Sequence, residues 1–245
     1  LKHPTIRDAF AALIAENREL MDIYLAGTPV RQLFQEVSCG DVGLEGVKVI
    51  VPTDRYDALW LRIEIFLAET RESKDPVNRF LASRCDRNFL SGFIARNPGF
   101  VSALRTGSYL SAVSDTHVIV QLRQLDLLPE AERLRHVAAI KVFAVETPDA
   151  DFLRERFRPL LTTTEFDDIL GEVRSQLLPH ISKCIADWQS NHDGETDPDS
   201  YFDLLKSALT DYQEALSDDI ESVAFVNAGL AEIQDVIEKL RSELP

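Results

Sequence analysis

The sequence contains no glycine followed by lysine, only one methionine (Met21), and three cysteines that never approach each other along the chain. Each shortage excludes something. Without G-x-x-x-x-G-K-[ST] there is no glycine loop with its lysine to cradle phosphates, so ATP binding is assigned to no residue. Cys39, Cys85 and Cys184 are odd in number and include no C-x-x-C pair. They read as reduced, mostly buried thiols of a cytosolic protein. No uninterrupted apolar run reaches membrane-spanning length, and no signal-peptide pattern opens the sequence. The expectation is a cytoplasmic protein without a membrane partner. The chain opens on Leu1, and Leu1-Lys2-His3-Pro4 runs straight into a helical pattern. We therefore expect a segment excised from a longer protein.

What is present is ordinary globular material. The 245 residues are comfortable for two domains, and 45% are hydrophobic. Charge is uneven. Residues 1–110 hold 14 basic and 14 acidic side chains, whereas residues 111–245 hold 12 and 27 and account for the whole net charge of −15. A neutral half followed by an acidic half supports a modular reading. We divide the chain into a unit at 1–53, a helical linker module at 54–110 and an acidic helical domain at 111–245. A neutral N-terminal half also lacks the basic cluster needed to displace counterions from duplex phosphates, so no nucleic-acid partner is expected.

Periodicity predicts a mainly α fold. Ile6, Phe10, Leu13 and Ile14, then Leu20, Met21, Tyr24 and Leu25, follow helical spacing. Asn17 is placed to cap a short helix, and Gly27 to end it in a left-handed conformation. Phe34 to Cys39 and Val47 to Val51 are β-rich runs around a loop with Gly40, Gly43 and Gly46, read as a hairpin. Helices followed by a hairpin suggest a winged-helix-like unit. Downstream, Asp75-Pro76, Asn97-Pro98, Thr147-Pro148 and Asp197-Pro198 punctuate helices of 8–20 residues, which suggests stacked helical hairpins. The ambiguous runs His117–Leu122 and Ile140–Phe143 are read as helix because their apolar residues recur every 3–4 positions, a stronger signal than β propensity. Asp115 is read as the cap of the first, Thr162 to Glu165 as a capping box, and Ser217 as the cap of a last helix. That last helix would carry its stripe at Ile220, Val223, Asn227, Leu230, Gln234, Ile237 and Leu240.

HPTIRDAFA from His3, with ENRELMDIYLAGTP and the VSCGDVG loop behind it, resembles the region after the NTPase core in bacterial STAND-type P-loop ATPases of conflict systems. Weaker echoes continue in LPEAERLRHVAAIKVFAVETPDADFL and in the stretches around Trp188 and Tyr212. The resemblance implies a regulatory or sensory segment downstream of a nucleotide-binding core. It implies as partners the upstream NTPase domain of the same chain and a protein or small-molecule ligand. The absence of the phosphate loop means that no nucleotide-binding role is carried over.

No catalytic, cofactor-binding or metal-binding residue is assigned. Cys39-Gly40-Asp41 could seat a nucleophile on a turn, but His3, His117, His136, His180 and His192 are scattered without a local signature. The plainer reading is a buried thiol. The loop from Asp193 to Asp199 spaces acids as calcium loops begin, yet Pro198 replaces the turn glycine and Leu204 the bidentate glutamate. It reads as a solvated acidic loop. Asp167-Asp168 and Asp218-Asp219 lie at helix starts, where they complement the helix dipole without acid–base work. Phe89, Phe93, Phe100 and Trp188 read as core, and Trp60 lies off its helix's stripe.

Overall fold

The computed structural model describes residues 13–14, 17–44, 47, 49–69 and 73–243. The chain divides into two compact units, one from Leu1–Arg105 with Ser114–Glu132, the other from Thr106–Val113 with Arg133–Pro245. The expected boundary at 53/54 falls inside the first unit, and that at 110/111 inside the loop belonging to the second. Among the described residues the fold is mainly α with a small two-stranded sheet.

In the first unit, Asn17 takes an extended backbone and its Oδ1 accepts from the N–H groups of Glu19 and Leu20 at 3.0 and 3.1 Å. Helix α1 (Arg18–Gly27) follows, burying Met21 and Leu25. Gly27 does not end it in a left-handed conformation. Thr28 is extended instead, as a residue before proline must be, and its N–H closes on the Tyr24 carbonyl. Helix α2 (Val30–Glu36) runs directly into β1 (Val37–Cys39). The expected hairpin is realised as a parallel pair with β2 (Val49–Val51), in the register Val37–Val49, Ser38–Ile50 and Cys39–Val51. Strands of three residues span only about 10 Å. Residues 40–48 are enough to carry the chain back to the same end. Gly40 (φ 80°) and Gly43 (φ 66°) adopt the left-handed conformation expected of that loop. Gly46, the positions Ile6 and Phe10, His3, and residues 70–72 of the expected helix end lie outside the described residues.

A 3₁₀ turn (Thr53–Arg55) leads into α3 (Tyr56–Glu69), which buries Leu59 and Ile63. Helix α4 (Asp75–Arg84) starts one residue earlier than the sequence suggests. Asp75 lies inside its first turn, and its carboxylate accepts from Ser114 Oγ at 2.6 Å. Asp86 caps α5 (Arg87–Arg96) through the Phe89 N–H at 2.8 Å. After the short α6 (Phe100–Ala103), α7 (Ser114–Gln124) packs along α4 and buries Val118, Ile119, Val120 and Leu122, so this β-branched run is helical. Asp115 is not its cap. It lies in the first turn and accepts from Asn78 Nδ2 and from the Arg105 N–H. Rings fill the centre of the unit: Phe34 lies 5.1 Å from Phe80, Phe80 6.0 Å from Phe89, and Tyr56 5.0 Å from Phe89.

The second unit takes most of α8 (Glu130–Glu146), which ends before Thr147-Pro148 as expected. Two 3₁₀ turns (Asp151–Leu153 and Glu155–Leu160) lead to the capping box of Thr162 and Glu165, which opens α9 (Thr163–Glu172). At Val173–Leu177 the helix widens into a π-turn and then tightens to a 3₁₀ turn at Leu178–His180 before α10 (Ile181–Ser190). Pro179 supplies no N–H and disturbs the preceding ladder, which is why the continuation is irregular there. Asp197 caps α11 (Pro198–Ala215) through the Ser200 N–H. The cap of α12 (Ile220–Glu243) is Asp219 rather than Ser217, accepting from the N–H groups of Glu221 and Ser222. The buried stripe of α12 is also rotated from the expected one. Ile220 is 86% exposed, whereas Ser222, Val226, Ile233 and Ile237 are buried. Gly229 completes that stripe, with Ile181 and Leu209 lying against its backbone. Small residues let α12 approach closely, and a search for large apolar side chains passes over them.

Candidate functional site

A convergence of buried polar groups in the second unit joins two loops. Pro148 stops α8, and the chain turns through Asp149, Ala150 and Asp151, all nearly inaccessible to solvent. Asp149 accepts from the Leu110 N–H through Oδ2 at 3.1 Å and from the Asp151 N–H through Oδ1 at 2.9 Å. It also accepts from the Tyr109 N–H. Asp151 accepts from the Ser111 N–H at 2.7 Å and from Arg154 Nε at 3.0 Å. Three successive amides of the 106–113 loop therefore point at two carboxylates. Tyr109 makes this possible with φ 60°, a left-handed conformation that costs a bulky residue energy. The result is a backbone nest of the sort that binds anions, filled by the protein's own aspartates.

Electrostatics at this latch are mixed. Burial pushes the Asp149 carboxyl up from its ordinary value, and the bonds from the Asp151 and Leu110 amides oppose that rise. Burial also raises the Asp211 carboxyl, with Arg154 acting against it. The Tyr109 phenol is pushed up to about 12, chiefly by burial, and its hydroxyl is enclosed without a hydrogen-bond partner. Tyr212, fully buried, directs its hydroxyl at the carbonyls of Ala144 (3.0 Å) and Asp149 (3.1 Å), tying the latch to the end of α8. The adjoining cavity, lined by Tyr109, Ser111, Asp151, Arg154, Ser207 and Asp211, holds about 160 Å³. That is below the roughly 300–1,000 Å³ of sites for organic ligands. This geometry holds a loop; it does not place a nucleophile beside a base.

The candidates singled out from sequence are not brought together. Cys39 is buried on β1 beside Cys85, and burial pushes both thiols up, away from the reactive thiolate. Burial raises Cys184 to about 11. His136 meets Thr106 at 2.7 Å, and His192 pairs with the Thr196 carbonyl, so the two histidines serve different loops. The Asp193 carboxylate accepts from the Glu195 and Thr196 N–H groups and the Thr196 hydroxyl, which closes its loop around itself. Among the described residues, no group of three or more His, Cys, Asp or Glu side chains is placed to hold a metal ion. None of their helices is long and apolar enough to cross a membrane. Sequence reasoning passed over Asp149, Asp151 and Tyr109. The pair of acids two apart after a helix-stopping proline was the available signal. The left-handed tyrosine left none.

Comparison with protein-family models, curated proteins and solved structures returns no match to this chain.

Proposed function

We propose that this chain is a non-catalytic regulatory or sensor segment of a larger STAND-like NTPase, in which it couples a bound ligand or partner to the state of the nucleotide-binding core. The observation that carries the reading is the latch at Tyr109–Ser111. Residues 106–113 belong to the second unit, but the chain on either side of them, up to Arg105 and from Ser114, belongs to the first. The loop is held by carboxylate–amide bonds beside the buried Leu110 side chain, with Tyr109 in a left-handed conformation. Such an element has few alternatives to its closed form, yet each bond is of modest net strength, about 0.5–3 kcal/mol. A ligand that binds one arrangement better shifts the population toward it. The buried thiols of Cys39 and Cys85 and the self-contained Asp193 loop favour a segment without chemistry of its own.

The alternative reading, a nucleic-acid-binding winged helix with a helical appendage, is weaker. The wing expected from sequence is an antiparallel hairpin, and the strands here pair in parallel.

The reading frame upstream of Leu1 tests the proposal. A G-x-x-x-x-G-K-[ST] segment between a strand and a helix is expected there. A frame that opens within a few codons, or extends without that segment, overturns it. Given the segment, Asp149→Asn in the longer protein is expected to change the basal ATPase rate. An unchanged rate would remove the latch from the account.

A further inference from the structure

The two cysteines of the first unit are neighbours in space, although residues 40–84 separate them in sequence. Cys39 ends β1, and Cys85 is the residue at which α4 stops. Strand β1 pairs with β2 and also bridges Cys85, in a parallel sense. The Asp86 N–H donates to the Cys39 carbonyl at 2.9 Å and holds the two backbones side by side. Adjacent bridged strands lie about 4.7–4.9 Å apart. A disulfide needs Cα atoms about 4.4–6.8 Å apart, so the spacing of the bridge admits one without backbone movement. The side chains also meet: the two thiols share a hydrogen bond, and both are wholly buried. The Cys85 thiol reaches the Phe80 carbonyl of α4 as well, at 3.6 Å. Cys184, the third cysteine, belongs to the second unit.

We propose that Cys39 and Cys85 are a reversible disulfide site, closed by a peroxide, that ties β1 to the end of α4. Cys39 is the attacking sulfur, because the hydrogen bond between the thiols favours the thiolate at Cys39 and disfavours it at Cys85. The Cys39 thiolate attacks one oxygen of hydrogen peroxide. An S–O bond forms, the O–O bond breaks, and the departing hydroxide takes up the proton that the thiol released. The Cys85 sulfur then attacks the sulfenic sulfur. The S–S bond forms, the S–O bond breaks, and the oxygen leaves as water with the Cys85 proton. Two thiols lose two electrons, and the peroxide becomes two waters. Burial raises both thiols, so the first step runs through a local opening rather than the closed form. The second sulfur is already in contact, which stops the oxidation at the disulfide instead of the sulfinic acid. The bridge encloses residues 40–84 and stabilises chiefly by restricting the unfolded chain. The step modifies the chain itself and acts on no substrate, so it stands independently of the latch and of the regulatory reading.

Treatment of the full chain with hydrogen peroxide, in buffer and in urea just below the unfolding transition, tests the site. Peptide mapping by mass spectrometry without reductant is expected to show a Cys39–Cys85 linkage that dithiothreitol reverses. Calorimetry should show the melting temperature of the linked chain raised by about 5 °C or more. Cys85→Ala removes the resolving thiol, so Cys39 is expected to gain oxygen, by peptide mass, where the unaltered chain gives the linkage. Cys184→Ala is expected to keep both the linkage and the shift. No linkage in either solvent, or a linkage only once the chain is fully unfolded, would overturn the site. So would a bond through Cys184. A linkage that lowers the melting temperature or leaves it unchanged would overturn its role in tying β1 to α4. Unoxidised Cys39 in the Cys85→Ala variant would overturn the order of the two steps. The peptide map of the unaltered chain decides the site even where a variant fails to fold.

Discussion

The indole ring of Trp60, on α3, covers the α-carbon of Gly92, on α5, so closely that an added Cβ would collide with ring atoms Cζ2 and Cη2. Phe89 lies 5.6 Å away and the Arg96 guanidinium sits 5.7 Å over the same ring. A tryptophan off the main stripe of its helix thus has a seat, made by the absence of a side chain on its neighbour.

Gly92→Ala separates two opposing effects. Alanine improves helix propensity by about 1 kcal/mol. Displacing the ring costs about 1–3 kcal/mol as overpacking. A net loss of about 1 kcal/mol is expected in urea unfolding, with an altered near-ultraviolet circular dichroism signal from Trp60. A variant equally stable, with an unaltered signal, would mean that the ring is not held there.

Gly40→Ala is expected to be more damaging. Its φ of 80° disfavours any side chain, and a Cβ would meet the Asp86 carboxylate. That carboxylate caps α5 and accepts from the Tyr56 hydroxyl at 3.0 Å. The left-handed penalty of about 1–2 kcal/mol and partial loss of a cap worth about 1 kcal/mol give a total of about 2–3 kcal/mol. Tyr56→Phe, which removes only the hydroxyl, should cost about 1 kcal/mol in the same unfolding assay.

Acid sensitivity should follow one ion pair in the second unit. Buried Arg133 reaches Glu165 at 2.7 Å and the Leu160 carbonyl at 2.8 Å. Its hydrogen bond, before the added N–H of Thr162, holds the Glu165 carboxyl at about 2. A lowered carboxyl contributes stability above the unfolded value near 4.5 and loses it as pH falls toward 2. Glu165→Gln should therefore unfold more readily at neutral pH and show a shallower loss of stability between those limits. Parallel curves for the two proteins would remove this pair as a source of the pH dependence.

The latch makes a local claim. Asp149→Asn replaces one of two accepting oxygens by a donor, so the amides of Leu110 and Asp151 cannot both be satisfied. Faster hydrogen exchange is expected at Tyr109, Leu110 and Ser111, with little change in α12. Because the folded Asp149 carboxyl is raised, its contribution is largest below the ordinary aspartate range and declines as pH climbs through the raised value. Protection of these amides, corrected for intrinsic rates, should therefore not fall on acidification from neutrality to the aspartate range.

Legibility from sequence followed the range of the interaction. Caps were readable where the bond is local: Asn17, Thr162 with Glu165, and Asp197 all perform as their positions suggest. Helical spacing also decided the β-branched run in α7 correctly. Misplacements arose where a partner distant in sequence wins. Asp75 and Asp115 left their capping roles for Ser114, Asn78 and the Arg105 amide. The strands of residues 37–51 could be located from composition, but not their parallel pairing, in which β1 also bridges Cys85, a residue distant in sequence.

The loop at residues 106–113 also imposes an order on synthesis. Helix α7, which packs along α4, is made only after that loop has been translated. A nascent chain that has emerged as far as Arg105 must therefore wait for residues up to Glu132 before its first unit is complete. At ~5–20 residues per second, that interval is on the order of seconds. During it the α4 surface that α7 covers stays exposed, a window in which ribosome-associated chaperones would find an apolar target.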